Sequence, residues 1–166
     1  MKKLQFRAQS LVEFALIFPI AIFLLLGFFD LGRAIFNYAT LSNMVREGAR
    51  FAISDSTATT GPYLNTITHI NDFAFSVPNV NLVPTNTNCF TTSSKGDNSV
   101  CIFTGTDIIV GITRIWSSSS KTFENIEVKA TFTFKPVTPF IADMLGNGTS
   151  IDLIAKSTMR LSGSVR

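Results

Sequence analysis

Few residues in this chain have the type and spacing that catalysis requires. His69 is the only histidine, and no nucleophile or set of metal ligands accompanies it. The chain also lacks a paired-carboxylate motif, a G-x-S-x-G string, a phosphate-binding glycine loop and zinc-ligand spacing. We therefore expect no catalytic residue, no metal site, no cofactor and no enzymatic activity.

The two cysteines suggest a different chemistry. Cys89 and Cys101 flank a turn-forming segment, residues 95–98, and their spacing is not C-x-x-C. In an exported segment such a pair predicts a disulfide-closed hairpin. The alternative is two free buried thiols.

Glu13 is the most unusual charged residue, because it lies in an apolar run. Leu11–Phe29 contains Glu13 in its first turn and Pro19 in its middle, and residues 14–29 carry no charge. A carboxylate near the centre of a bilayer costs roughly 2.5–3.5 kcal/mol and usually has a partner. Position alone leaves two interpretations open: a paired carboxylate, or one solvated at the level of the lipid headgroups.

The same run predicts a membrane-spanning helix. Its length is about 28 Å at 1.5 Å per residue, close to the thickness of one hydrocarbon core. A secretory signal peptide is the alternative, but no A-x-A-like cleavage site follows the run. Lys2, Lys3 and Arg7 precede it. Short basic flanks stay cytoplasmic, so we expect the N-terminus inside and the rest of the chain exported.

The residues around Glu13 resemble a known processing site. The string from Arg7 to Phe14, RAQSLVEF, is similar to that of type IV pilin-like precursors, with Ala8 replacing the usual glycine. The resemblance implies that a prepilin-type peptidase cuts between Ala8 and Gln9. Glu13 then becomes the fifth mature residue. In that family the fifth residue is thought to pair with the amino terminus of a neighbouring subunit.

A narrower resemblance covers both ends of the chain. Residues 9–52 resemble the TadE-like proteins in the SLVEFAL opening, Pro19, the block Gly27–Ala34 and the string REGAR at residues 46–50. Residues 128–161 also fit that family, and residues 54–123 show no resemblance. The likeness implies a minor pilin or pseudopilin of the tight-adherence (Flp) pilus, located in the cytoplasmic membrane or in a pilus. Its partners would be other pilins and the assembly machinery, and Glu13, Phe14 and Pro19 would set subunit register.

Two other functions remain as alternatives. An uncleaved, single-span envelope scaffold or receptor could have the same fold, and no residue supports a membrane-tethered enzyme. A nucleic-acid partner is not expected, although the sequence pI is near 9.1 and the net charge is +3. Three of the basic residues lie in the leader, and the rest of the chain is neutral without a basic patch.

Apolar periodicity extends the helix well beyond the span. It predicts one helix over about 10–53, bent at Pro19. Arg46, Glu47 and Arg50 lie off its apolar stripe and are candidate partner contacts. The alternative is a solvated face with one ion pair between residues three apart. The stripe consists of Leu31, Ile35, Tyr38, Leu41, Val45, Ala49 and Ala52.

The remaining segments predict an α+β fold. Residues 64–75 have a helical apolar face, and residues 102–116 are rich in β-branched residues typical of strands. Residues 124–135 alternate strictly and residues 151–161 alternate again, so we expect them to pair antiparallel with their apolar faces packed on the apolar stripe of the helix from Leu31 to Ala52. The expected organisation is a leader (1–8), a long helix (9–53, with the span at 11–29) and an exported domain (54–166).

The disulfide is directly testable. We expect non-reducing peptide mapping of the exported protein to recover Cys89 and Cys101 in one cross-linked peptide. In the chain-entropy model, a bridge closing a loop of this size stabilises the fold by roughly 3 kcal/mol. Recovery of both residues as free thiols would contradict the expectation.

Overall fold

The computed structural model describes residues 5–55, 63–73, 80–85, 100–117, 122–138, 143 and 150–160. The described ranges contain the helices α1 (Gln5–Asp55) and α2 (Leu64–Phe73). Five strands form one antiparallel sheet in the order β1-β2-β3-β4-β5. They are β1 (Val83–Pro84), β2 (Val100–Thr104), β3 (Ile108–Ser117), β4 (Thr122–Phe134) and β5 (Ile151–Arg160). The predicted α+β architecture, a long N-terminal helix on an antiparallel sheet, is confirmed.

The chain divides into two compact units. One comprises Met1–Ile35 with Lys135–Ile151, and the other comprises Phe36–Phe134 with Asp152–Arg166. The first contains the N-terminal part of α1 and the segment that follows β4. The second contains the C-terminal part of α1, α2 and nearly all of the sheet, and therefore holds most of the buried core.

The alternating pattern of β4 determines which side of the sheet is buried. Alternate residues of β4 are at most 5% exposed, as a strand with one face on a core requires. In the register of β3 with β4, Val110 lies opposite Ala130 and Ile112 opposite Val128, so buried residues of the two strands are neighbours. The buried set on β4 is Ile126, Val128, Ala130, Phe132 and Phe134.

Strand β5 also shows the alternation expected from its sequence. Its odd-numbered residues are buried or half-buried and its even-numbered residues are exposed. The Thr133 hydroxyl donates to Asp152, at 3.1 Å, and the Thr158 hydroxyl donates to Glu127, at 3.4 Å. From the first contact to the second, the residue number falls along β4 and rises along β5, as an antiparallel pair requires.

The apolar stripe of α1 is buried over only part of its length. Leu41, Val45, Ala49 and Ala52 are fully buried, together with Met44. The prediction was wrong for the first three members of the stripe: Leu31, Ile35 and Tyr38 are 56%, 61% and 50% exposed. Periodicity identifies the apolar face of a helix, but it does not show how far along the helix a packing partner extends.

Helix α2 packs on α1 through Ile70. Ile67 and Ile70 are buried as expected, whereas Leu64 and Phe73, at the ends of the predicted face, are about half exposed. The close approach occurs at Gly48 of α1, where an added Cβ would lie 2.7 Å from Ile70 Cδ1 and 3.0 Å from its Cγ1. Val128 of β4 lies 3.7 Å from the same position, so Gly48 marks a three-way contact of α1, α2 and the sheet.

Gly48→Ala tests this contact. We expect a net loss of about 1 kcal/mol of unfolding free energy, because overpacking costs roughly 1–3 kcal/mol and the gain in helix propensity offsets only about 1 kcal/mol. Thermal and denaturant unfolding of the detergent-solubilised chain would measure the loss. Adding Ile70→Val, which deletes Cδ1, should recover part of it.

Gly32→Ala is the matched control on the same helix. A Cβ at Gly32 would meet no atom within 4 Å, so only the gain in helix propensity applies and stability should not fall. Equal losses for the two glycine variants would show that steric contact with Ile70 is not the cause.

Candidate functional site

The N-terminal part of α1 has almost no protein packed around it. Every described side chain from Leu11 to Leu26 is exposed, and Phe28 and Phe29 are 72% and 60% exposed. Burial of such residues stabilises a folded chain by about 1.5–3 kcal/mol each, so exposure to water of a continuous apolar surface is unfavourable. Within the described residues, α1 is long and apolar enough to cross a membrane, and it fits a single-pass anchor.

Glu13 lies on this exposed surface among apolar neighbours. Leu11, Val12 and Phe14 beside it are each more than 60% exposed. Phe14 also packs on Phe18 one turn later, with ring centroids 5.2 Å apart. The described part of the chain provides no hydrogen-bond or ion-pair partner for the Glu13 carboxylate. A donor would therefore have to come from outside these residues.

The predicted cleavage site and Pro19 lie on the same helix as Glu13. The bond between Ala8 and Gln9 falls within α1, which begins at Gln5 rather than near Ser10. Pro19 also lies inside α1. A proline has no N–H, so the carbonyl of Ala15 lacks its intrahelical donor at that position.

Asp30 is a buried carboxylate that the sequence analysis did not identify as a site. It is 2% exposed and directly follows the apolar run. It accepts hydrogen bonds from the backbone N–H groups of Val137, at 3.0 Å, and Thr138, at 2.8 Å, and from the Thr138 hydroxyl. The guanidinium of Arg33 lies 3.6 Å away. These contacts attach α1 to the segment that follows β4.

The environment of Asp30 favours its charged form. Burial alone raises the pKa of this carboxyl. The hydrogen bonds from Thr138 and Val137, together with the charge of Arg33, outweigh burial and hold the pKa below its usual range. Asp30 and Arg33 belong to the Gly27–Ala34 block, so part of that block has a structural role.

The candidate partner contacts on α1 line a groove. Arg50 pairs with Glu47, at 4.0 Å, and Glu47 also lies 3.6 Å from Nε2 of His69. His69 stacks on Phe51 with ring centroids 4.5 Å apart. The predicted ion pair between residues three apart is therefore present, and a partner role stays a prediction. The groove is lined by Asn43, Arg46, Glu47, Arg50, Phe73 and Met159.

The cysteine prediction stays untested. Cys101 is 2% exposed on β2, and Cys89 lies outside the described residues. Within the described ranges, no cluster of three or more His, Cys, Asp or Glu side chains could hold a metal ion.

Asp30→Asn tests the attachment of α1 to the segment after β4. The amide offers one acceptor oxygen instead of two and places an N–H₂ group against a backbone donor. We expect a loss of about 2–3 kcal/mol at neutral pH, since hydrogen bonds to charged groups contribute about 1.5–3 kcal/mol each. Asp152→Asn, at an exposed carboxylate on β5, should cost much less.

The pH dependence of stability gives a second measurement of the Asp30 contact. Because the pKa of Asp30 is lowered in the folded chain, its contribution is fully present above the ordinary value of 3.8 and disappears as pH falls through the lowered pKa. The difference between wild type and Asp30→Asn should therefore be constant near neutral pH and shrink below pH 3.8. A difference that persists unchanged at lower pH would contradict this origin.

Comparison with known proteins gives one match. No curated protein and no solved structure matches the chain. Residues 8–50 match the family model described as TadE-like protein. That range contains the Ala8–Gln9 bond, Glu13, Pro19, Asp30 and Arg46. Over residues 8–50 the chain is thus a match to the TadE-like family, as the sequence resemblance predicted.

Proposed function

We propose that the protein is a minor pilin or pseudopilin that takes part in assembly of a tight-adherence (Flp-type) pilus or a related secretion apparatus. The observation that carries this proposal is the coincidence of two features on α1. Residues 8–50 match the TadE-like family, and residues 11–29 of that match expose their apolar side chains. Lipid would cover this surface before assembly, and the helices of other subunits would cover it afterwards.

Orientation follows from the charges that flank the span. Lys2, Lys3 and Arg7 hold the N-terminus in the cytoplasm, and the residues after the span lie on the periplasmic or outer side. The protein would then be a single-pass chain of the cytoplasmic membrane, from which a filament draws its subunits. Export also puts Cys89 and Cys101 in an oxidising compartment, where a disulfide persists.

Processing would change the environment of Glu13. A prepilin-type peptidase cuts between Ala8 and Gln9 and generates a free amino group four residues before Glu13. The Glu13 carboxylate then pairs with the amino group of an adjacent subunit. A buried carboxylate is tolerated when paired and expensive when alone, so this pair favours one register between neighbouring subunits.

An uncleaved membrane anchor is the second candidate function. Helix α1 runs without a break across the Ala8–Gln9 bond, as an uncleaved anchor would require. In that case the protein is an envelope scaffold or receptor. Glu13 then lies at the headgroup level and needs no partner subunit.

Glu13→Gln separates the two functions. The amide keeps the size of the side chain and removes its charge. We expect normal insertion into the membrane and weaker association with other pilins, measured by co-purification with the assembly partners. Glu13→Leu should insert more readily and associate equally poorly.

Two further measurements complete this test. Intact mass and N-terminal sequencing of the membrane-resident protein should show a chain that begins at Gln9. Glu127→Gln, at a half-buried carboxylate of β4 that pairs with Lys156, is the control outside the span and should leave association unchanged. A membrane-resident chain that begins at Met1, together with a Glu13→Gln variant that assembles normally, would contradict the pilin function and support the uncleaved anchor.

A further inference from the structure

A groove of about 430 Å³ lies where the C-terminal part of α1 meets α2 and β5. Asn43, Arg46, Glu47 and Arg50 form its polar wall on α1, and Phe73 of α2 and Met159 of β5 supply its apolar surface. We call these six residues the arginine groove. All of them belong to the same compact unit.

The two arginines of the groove are available to a ligand. Arg46 is exposed and makes no ion pair within the described ranges. The Arg50 side chain is 77% exposed, and its guanidinium is 4.0 Å from Glu47. An exposed pair of this kind contributes only about 0–1 kcal/mol, so exchanging Glu47 for another carboxylate costs little.

Glu47 has a second polar neighbour, His69, that makes this exchange easier. Its Oε1 lies 3.6 Å from Nε2 of His69, and that buried nitrogen has no hydrogen-bond partner in the described structure. A small approach of the two side chains would give Glu47 a hydrogen bond. Arg50 could then turn to an external carboxylate.

The composition of the arginine groove is typical of protein interfaces. Arginine, methionine and aromatic residues are enriched there, and arginine is frequent among the residues that dominate binding energy. Phe73 is 48% exposed, so its ring offers apolar area to a partner. Two arginines against one glutamate leave a positive charge, which favours an acidic partner.

A lipid headgroup is a poor candidate for this ligand. Arg46 follows Phe29 by about 17 residues of continuous helix, a length of about 26 Å at 1.5 Å per residue. The headgroup region adds only about 5–8 Å on each side of the hydrocarbon core. Protein is the more favourable source of the negative charge.

We propose that the arginine groove binds an acidic amphipathic helix of another protein. Arg46 and Arg50 are four residues apart, which places their Cβ atoms about 5–6 Å apart. Two carboxylates four residues apart on a partner helix have the same spacing, and an adjacent apolar side chain would contact Phe73 and Met159. The identification of that protein as another component of the pilus assembly rests on the proposed function.

Synthetic helical peptides test this site on the full-length, detergent-solubilised chain. The probe is a peptide of about 18 residues, or five turns, with glutamates four apart beside a leucine stripe. Two matched peptides carry glutamine or lysine in place of the glutamates. Fluorescence anisotropy measures the affinity of each, and the glutamate peptide should bind most tightly, with an affinity that falls as salt rises.

Charge reversal then locates the binding site. Arg46→Glu with Arg50→Glu should weaken binding of the glutamate peptide at least about tenfold and strengthen binding of the lysine peptide. Arg160→Glu is the control, because Arg160 is an exposed arginine next to Met159 whose side chain is on the opposite face of β5. It should leave both affinities unchanged.

Three results would overturn the proposal. The first is equal affinity for the glutamate and glutamine peptides. The second is a charge-reversed variant that binds the glutamate peptide as tightly as wild type. The third is binding of the glutamate peptide that appears only after residues 161–166 are deleted. The last result would assign the groove to the chain's own C-terminal residues. Processing at Ala8 does not involve this groove. A chain that is cleaved but binds no peptide would therefore contradict the groove proposal and leave the proposed function intact.

Discussion

The burial of the Asp30 carboxylate is the constraint on which the N-terminal part of the structure depends. A carboxylate that is 2% exposed must have donors, and α1 cannot supply them from its own backbone because helical N–H groups are already used. Two consecutive N–H groups and one hydroxyl from the segment after β4 satisfy this need. The position of that segment is therefore linked to one residue of the helix more than a hundred residues away.

Helix α1 shows how environment, rather than residue type, decides what an apolar side chain does. Leu24 and Leu41 lie on the same helix, yet the first is 62% exposed and the second is completely buried. Leu41 belongs to the buried core of the larger compact unit, whereas around Leu24 the described part of the chain provides no such core. The helix thus has one half that packs within its own chain and another whose apolar surface fits a membrane anchor.

The sequence was sufficient to predict the parts of the fold that depend on local patterns. Strict alternation gave the correct buried face of β4, because a half-buried strand has a period of two that no helix reproduces. The long apolar helix was also predictable from its length and periodicity. The exposure of the stripe residues from Leu31 to Tyr38 was not predictable, because their burial depends on where the packing partner of the helix ends.

The candidate site was only partly predictable for a related reason. Glu13 was conspicuous because a charge in an apolar run conflicts with its surroundings. Asp30 was less conspicuous, because it closes that run, and its partners Val137 and Thr138 are distant in sequence. Its place in the Gly27–Ala34 block, beside Arg33, was the available signal. Gly48 was equally inconspicuous, since the contact that requires a glycine involves Ile70 on another helix.

Glu13 and Asp30 pose the same physical problem on one helix and differ in how it is solved. Asp30 obtains three hydrogen bonds and a nearby guanidinium from its own chain. Glu13 obtains none from the described residues, so its donor must lie outside them: in the rest of the chain, in water, in a headgroup or in another molecule. Water and headgroups suffice while the helix stands alone in a membrane. Once apolar helices pack around Glu13 and exclude water, only a specific cationic donor compensates its desolvation. On the proposed function, the Glu13 charge is therefore not needed for insertion, which it opposes, but it is needed for specific assembly.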